Sequence, residues 1–178
     1  MRSMRCVAVI LACLLMAAPL RPQKNKREPL TDAQIDQIRD AGTDPNQRVV
    51  LYTKFLDDDA ATISALSKRV RSAGRSRRLD DALQDFTALM DELSSNLDVY
   101  DERKADIRIA LKPLPEATER WLETLRALAS EPGFEVARTE AMESGGDLAG
   151  QAKDLLAKQT EYFKQHKEEK GQERKEPK

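Results

Sequence analysis

The chain has 178 residues, 30 of them Lys or Arg and 31 Asp or Glu, with a formal charge of -1 and a mean hydropathy of -0.64. That hydropathy excludes a polytopic membrane protein, and the missing basic excess argues against a general nucleic-acid binder. Hydrophobic residues make up 40% and aromatic ones only 4%, with Leu and Ala prevailing over β-branched types, so the composition predicts an all-α protein of one domain.

Residues 1–20 read as an export address. Arg2 and Arg5 form a basic start, and residues 6–20 are fifteen residues without a charge (CVAVILACLLMAAPL). A membrane span needs about 20 apolar residues, whereas a secretory h-region takes about 7–15. Ala17 and Ala18 supply small residues for cleavage. The alternative is an uncleaved N-terminal membrane anchor. Cys13 follows Ile10-Leu11-Ala12, a loose match to a lipoprotein signal, and reads as a small apolar residue of the same run. Cys6 and Cys13 are the two cysteines of the chain, so removal of the leader leaves no disulfide, no Cys-ligated metal and no Cys nucleophile. The expected location is exported, periplasmic or secreted.

Residues 21–29 form a basic, polar tether with nothing to bury. Residues 30–166 carry the helical pattern. A short helix is predicted over 30–41: Thr31 is the N-cap, Gln34 completes a capping box, Leu30 and Ile35 form a hydrophobic staple, and Gly42 ends it. Asp44-Pro45 opens the next helix as N-cap and first residue. Apolar positions Val49, Tyr52, Leu56, Ile63, Leu66, Val70 and Ala73 carry it to Gly74, with Asp59 in one inner slot. Leu79, Leu83, Phe86, Met90, Leu93, Leu97, Tyr100, Ile107 and Leu111 then follow at alternating spacings of four and three, interrupted only by Lys104. This seam predicts one long helix packed at coiled-coil-like angles. Pro113 and Pro115 predict a helix end or sharp kink. A shorter helix with Leu114, Trp121, Leu125 and Leu128 follows to Ser130, and Glu131-Pro132-Gly133 is a turn. The last helix is expected over 134–166 with Ala137, Ala141, Leu148, Ala152, Leu155, Gln159 and Tyr162 inward, and Gly145-Gly146 as a hinge. Residues 167–178 read as a charged, disordered tail, with fraying from Lys164 onward. The architecture expected is an elongated antiparallel helical bundle, and its narrow seam is of the kind that self-associates.

No catalytic residue stands out. His166 is the single histidine and lies in a charged stretch. There is no G-x-S-x-G elbow, H-E-x-x-H pair, Walker-type loop or Rossmann glycine set. Asp57-Asp58-Asp59 is the densest acidic run, but consecutive helical residues point about 100° apart and cannot converge on one ion. No metal site and no cofactor are expected. Asp59, in its inner slot, would need a partner, and Lys104 is the one cation of the seam.

The densest basic feature is residues 68–78 (KRVRSAGRSRR), with Lys68, Arg69, Arg71, Arg75, Arg77 and Arg78 and no acid. The flanks are acidic: residues 28–66 hold eight acids against three bases, and residues 80–106 nine against two. Lys68, Arg69 and Arg71 are explained by a helix C-terminus, where cations are favoured; Arg75, Arg77 and Arg78 are explained less well. The cluster lies between two long helices, hence at one tip, and is the candidate contact for an anionic surface such as lipid headgroups or a cell-wall polymer. Without interleaved aromatics it is no nucleic-acid stacking platform.

Leu30-Thr31-Asp32-Ala33-Gln34, followed by Ile38-Arg39, resembles the L-T-x-x-Q motif of the LTXXQ-type periplasmic stress proteins. The resemblance covers about ten residues and one copy of a motif that such proteins typically carry twice. It implies a small all-helical, ATP-independent chaperone or envelope-stress binder, usually a cradle-shaped dimer. The residues themselves favour a non-enzymatic interaction or structural component of the cell envelope. Such a component would act through helix faces, with a protein partner or the envelope surface as its contact.

Overall fold

The computed structural model describes residues 28–171; the leader, the tether as far as Arg27 and the end of the charged tail lie outside the described residues. The fold is all-α. Its helices are α1 (Asp32–Asp40), α2 (Pro45–Ser67), α3 (Ala73–Glu102), α4 (Arg108–Leu111), α5 (Leu114–Arg126) and α6 (Glu135–Gln165), followed by a 3-10 turn at Lys167–Glu169. No strand occurs among the described residues.

Local chemistry sets most helix ends. The α1 capping box forms as expected: the Thr31 hydroxyl accepts from the Gln34 N–H, and the Gln34 side chain accepts from the Thr31 N–H at 2.8 Å. Gly42 closes α1 with φ +60°, a conformation that costs a residue with a Cβ more. The Asp44 carboxylate accepts from the N–H groups of Asn46 and Gln47 at the start of α2.

Four long helices surround one core. α3 packs on α2 and on α6, and α5 packs on α6 and on α2. The consecutive helices α2 and α3 are antiparallel, as the pairing of Tyr52 with Glu92 and of Leu66 with Arg75 requires. By contrast α3 and α6 run parallel, with Asp91 against Ser144 and Asp98 against Gln151. The chain therefore forms two helical hairpins side by side with both turns at one end. The segment between α3 and α5 crosses the opposite end. Leu83, Phe86, Leu93, Leu97, Ile63, Leu114, Trp121 and Leu148 fill the middle, and Trp121 meets Phe86 edge-on at 6.0 Å. Leu89 is buried beside the expected seam, because α3 covers two neighbours rather than one.

Several boundaries differ from the sequence reading. α2 stops at Ser67, not Gly74, and α3 starts at Ala73, ahead of Leu79. Ser72 is the reason: its hydroxyl accepts from the Arg75 N–H and caps α3. α3 ends at Glu102 instead of running on to Leu111. Lys104, which broke the seam, has φ +56°; the Lys104 N–H donates to the Asp101 carbonyl and the Ala105 N–H to the Tyr100 carbonyl. That pair of bonds is a Schellman stop. Ile107 and Leu111 still enter the core, but from the crossover and α4. Pro113 and Pro115 mark the break before α5, as expected. Gly145-Gly146 is no hinge: α6 is continuous, and a Cβ on Gly145 would stand 3.0 Å from Leu122 Cδ2 and 3.6 Å from Met90 Sδ. Glycine here permits close helix approach. Near the end of α6 it is Phe163 that is fully buried; Tyr162 stays half-buried and stacks on His166 at 4.2 Å. Residues 164–169 continue as the last turn of α6 and the 3-10 turn, where Glu169 accepts from the Tyr162 hydroxyl at 2.7 Å.

Candidate anionic-surface contact

The basic residues of 68–78 sit where the α2–α3 turn meets the α5–α6 turn. Arg75 leaves the group: it is only 3% exposed. Its guanidinium donates to both Glu131 carboxylate oxygens at 2.9 Å, to the Leu66 carbonyl at 3.3 Å and to the Ser67 carbonyl at 3.2 Å. Those two carbonyls belong to the last turn of α2, beyond the reach of the regular helical donors, although the Leu66 carbonyl also accepts from the Arg69 N–H at 3.1 Å. Arg75 thus closes α2, starts α3 and ties both to the α5–α6 turn. Ser76 adds a hydroxyl donation to Glu131 at 3.1 Å, and Arg71 approaches the same carboxylate at 3.4 Å. The Arg75 bond, helped by Ser76 and the charge of Arg71, holds the Glu131 carboxyl below the usual carboxylate range. The sequence did carry a signal for this role: Arg75 stands four residues before Leu79, on the face of the ladder.

Lys68, Arg69, Arg71, Arg77 and Arg78 are exposed. Val70, in their midst, is 89% exposed, and Val136 in the first turn of α6, at the same end, is 72% exposed. The acids here are already engaged: Glu131 by Arg75 and Arg71, and Glu135 by Arg138, whose hydrogen bond lowers the Glu135 carboxyl. The tip therefore shows exposed cations around apolar side chains, with Asp80 and Asp81 one turn further along α3.

The acidic run of α2 divides by direction. Asp57 accepts from the Trp121 indole N–H at 2.7 Å and so links α2 to α5. Asp59 does not meet Lys104; it faces Asp85 of α3. Burial, then the charges of Asp85 and Asp58, push its carboxyl up to about 6. Lys104 instead lies over the Tyr162 ring, 5.7 Å from its centroid. No group of three or more His, Cys, Asp or Glu suited to a metal ion occurs among the described residues.

A second feature, invisible in the linear pattern, is a cleft of about 1140 Å3 between α1 and the α2–α3 hairpin. Leu30, Ile35, Ile38, Tyr52 and Val99 supply its apolar wall. The Tyr52 hydroxyl donates to Glu92 at 2.6 Å; burial and then that bond raise its pKa. Glu28, Asp91, Glu92 and Glu140 outnumber Arg39 and Arg48 around the cleft, and Arg39 is held by Asp36 at 2.6 Å.

No helix of the described residues is long and apolar enough to cross a membrane. No family model matches the chain, and no curated protein or solved structure matches it either.

Proposed function

We propose that the protein is an exported, non-enzymatic contact component of the cell envelope that anchors on an anionic surface through its basic tip. One observation carries this reading: Lys68, Arg69, Arg77 and Arg78 are exposed at one end, while the neighbouring Glu131 is spoken for by Arg75. The leader-like run at residues 6–20 supports the export part. Helix faces remote from the tip then meet a protein partner or a second copy of the chain. The test is sedimentation of the protein with native envelope fragments. Replacing Lys68, Arg69, Arg77 and Arg78 by Gln is expected to release most of it into the supernatant, and salt is expected to do the same. Equal pelleting of both forms rejects the reading. Arg75 stays untouched, because its loss would unfold the tip instead of discharging it.

The cleft beside α1 favours a second reading, a chaperone-like binder akin to the LTXXQ-type proteins. The L-T-x-x-Q capping box builds the helix that walls the cleft, and an apolar wall with an acidic rim suits unfolded segments carrying apolar and basic residues. Light scattering of an aggregating basic client separates the two. Suppression that disappears on Ile35→Asp supports the chaperone; no suppression at several-fold molar excess rejects it.

A further inference from the structure

We infer that the surface met by the tip is an anionic lipid bilayer, approached end-on, with Val70 and Val136 entering the headgroup layer. This rests on the anchoring reading above and names the partner of that same tip. Two observations support this contact, and the first favours a bilayer over a soluble polyanion.

The first is the mixture of chemistry. A polyanion is held by charge alone, and an apolar side chain among the cations adds nothing to that. Val70 is nevertheless the most exposed large hydrophobic side chain among the described residues, at 89%, and stands between Arg69 and Arg71. A bilayer interface takes both kinds of group: cations meet lipid phosphates while short apolar side chains leave water just beneath them. Val136 adds a second such side chain from the other hairpin.

The second is rigidity. The two turns do not splay, because Arg75 joins Leu66, Ser67 and Glu131. The cations and the valines are thus offered on one fixed end, so little ordering is lost on contact.

The test uses the full chain with Cys6→Ser and Cys13→Ser, and Val70→Cys carrying an environment-sensitive fluorophore. A second protein carries the label at Ile109, which is 80% exposed on α4 at the crossover end. Each is mixed with vesicles of phosphatidylglycerol and phosphatidylcholine, with pure phosphatidylcholine vesicles, and with inorganic polyphosphate. The expected result is a blue shift at position 70 on the anionic vesicles alone, none at position 109 in any arm, and at least an ~tenfold weaker response when Lys68, Arg69, Arg77 and Arg78 are Gln. Cation-dependent binding to polyphosphate or to the anionic vesicles with the label at 70 still wet overturns the bilayer but leaves the anchoring reading standing. A blue shift on neutral vesicles equal to that on anionic ones overturns the charged tip as the contact. Binding that ignores the four cations in every arm overturns both.

Discussion

The two ends of the helical body are closed by different chemistry. At the tip, one ion pair does it: Arg75 is buried against Glu131 and donates to two carbonyls at the end of α2. At the crossover end, two neutral amides do it, next to the local Asp106–Arg108 ion pair at 2.7 Å. Asn46 donates to the Asp106 carbonyl at 2.8 Å and accepts from the Ala110 N–H at 3.2 Å. Gln159, 3% exposed, donates to the Ala105 carbonyl at 2.9 Å and accepts from the Ile107 N–H at 3.1 Å. An amide is donor and acceptor at once, so it satisfies a non-helical backbone without importing charge. An arginine has only donors, which suits a helix C-terminus rich in carbonyls but obliges the fold to supply a carboxylate. The tip therefore consumes its own acid and leaves its remaining cations outward.

The comparison can be broken first at Arg75. Arg75→Ala takes a buried donor from the Ser67 carbonyl and leaves Glu131 with Ser76 and Arg71 alone, and should cost about 3 kcal/mol in urea unfolding. Exposed neighbours such as Arg77→Ala should change stability by less than about 0.5 kcal/mol. Equal losses for both would mean that the tip is not closed by this pair. Next comes Gln159→Leu, which keeps the volume but leaves an N–H and a carbonyl buried without partners; the expected loss is about 2 kcal/mol. Because the amide does not titrate, that loss should be the same at pH 5 and pH 7.

Between the ends, Asp59 is a charge without a cation. Its folded pKa of about 6 lies above the ordinary value of 3.8, so the folded state holds the proton more tightly than the unfolded one. The carboxylate is thus a penalty at pH 7, and on this account stability rises as pH falls through 6 towards 4. Asp59→Asn should stabilise the protein at pH 7 by about 1–2 kcal/mol, after allowance for screening of a half-buried group, and the gain should vanish near pH 4. A gain independent of pH would remove the Asp85 and Asp58 repulsion from the account. A smaller gain is expected of Lys104→Gly. Glycine adopts positive φ freely, so thermal unfolding should show a gain of about 0.5–1 kcal/mol, reduced by the lost contact with Tyr162.

Much of the fold was legible because its signals are local. Thr31 with Gln34, Gly42, Asp44-Pro45 and Pro113 each act within one helical turn, and each lies at or beside the helix end it predicted. The ladder from Leu79 to Tyr100 was equally plain and is buried throughout. The errors arose where distant residues decide. Nothing near Arg75 distinguishes it from Arg77 and Arg78 by charge. Its burial depends on Glu131 from another turn, so a six-residue candidate patch became five exposed cations and one internal clamp. The long seam likewise concealed the stop at Lys104, since Ile107 and Leu111 keep the spacing while reaching the core from other elements. The cleft beside α1 needed the separation of α1 from α3, which no residue pattern encodes.

Periodicity and caps by themselves determined that the chain is helical, where most helices begin, and which residues exclude water. Tertiary structure alone decided that α3 and α6 run parallel, that Arg75 meets Glu131 of another turn, and that Asp59 faces another acid. The physical reason is range. Backbone preferences and hydrophobic period act over a few residues, whereas the partner of a buried charge is chosen by how separate helices stack.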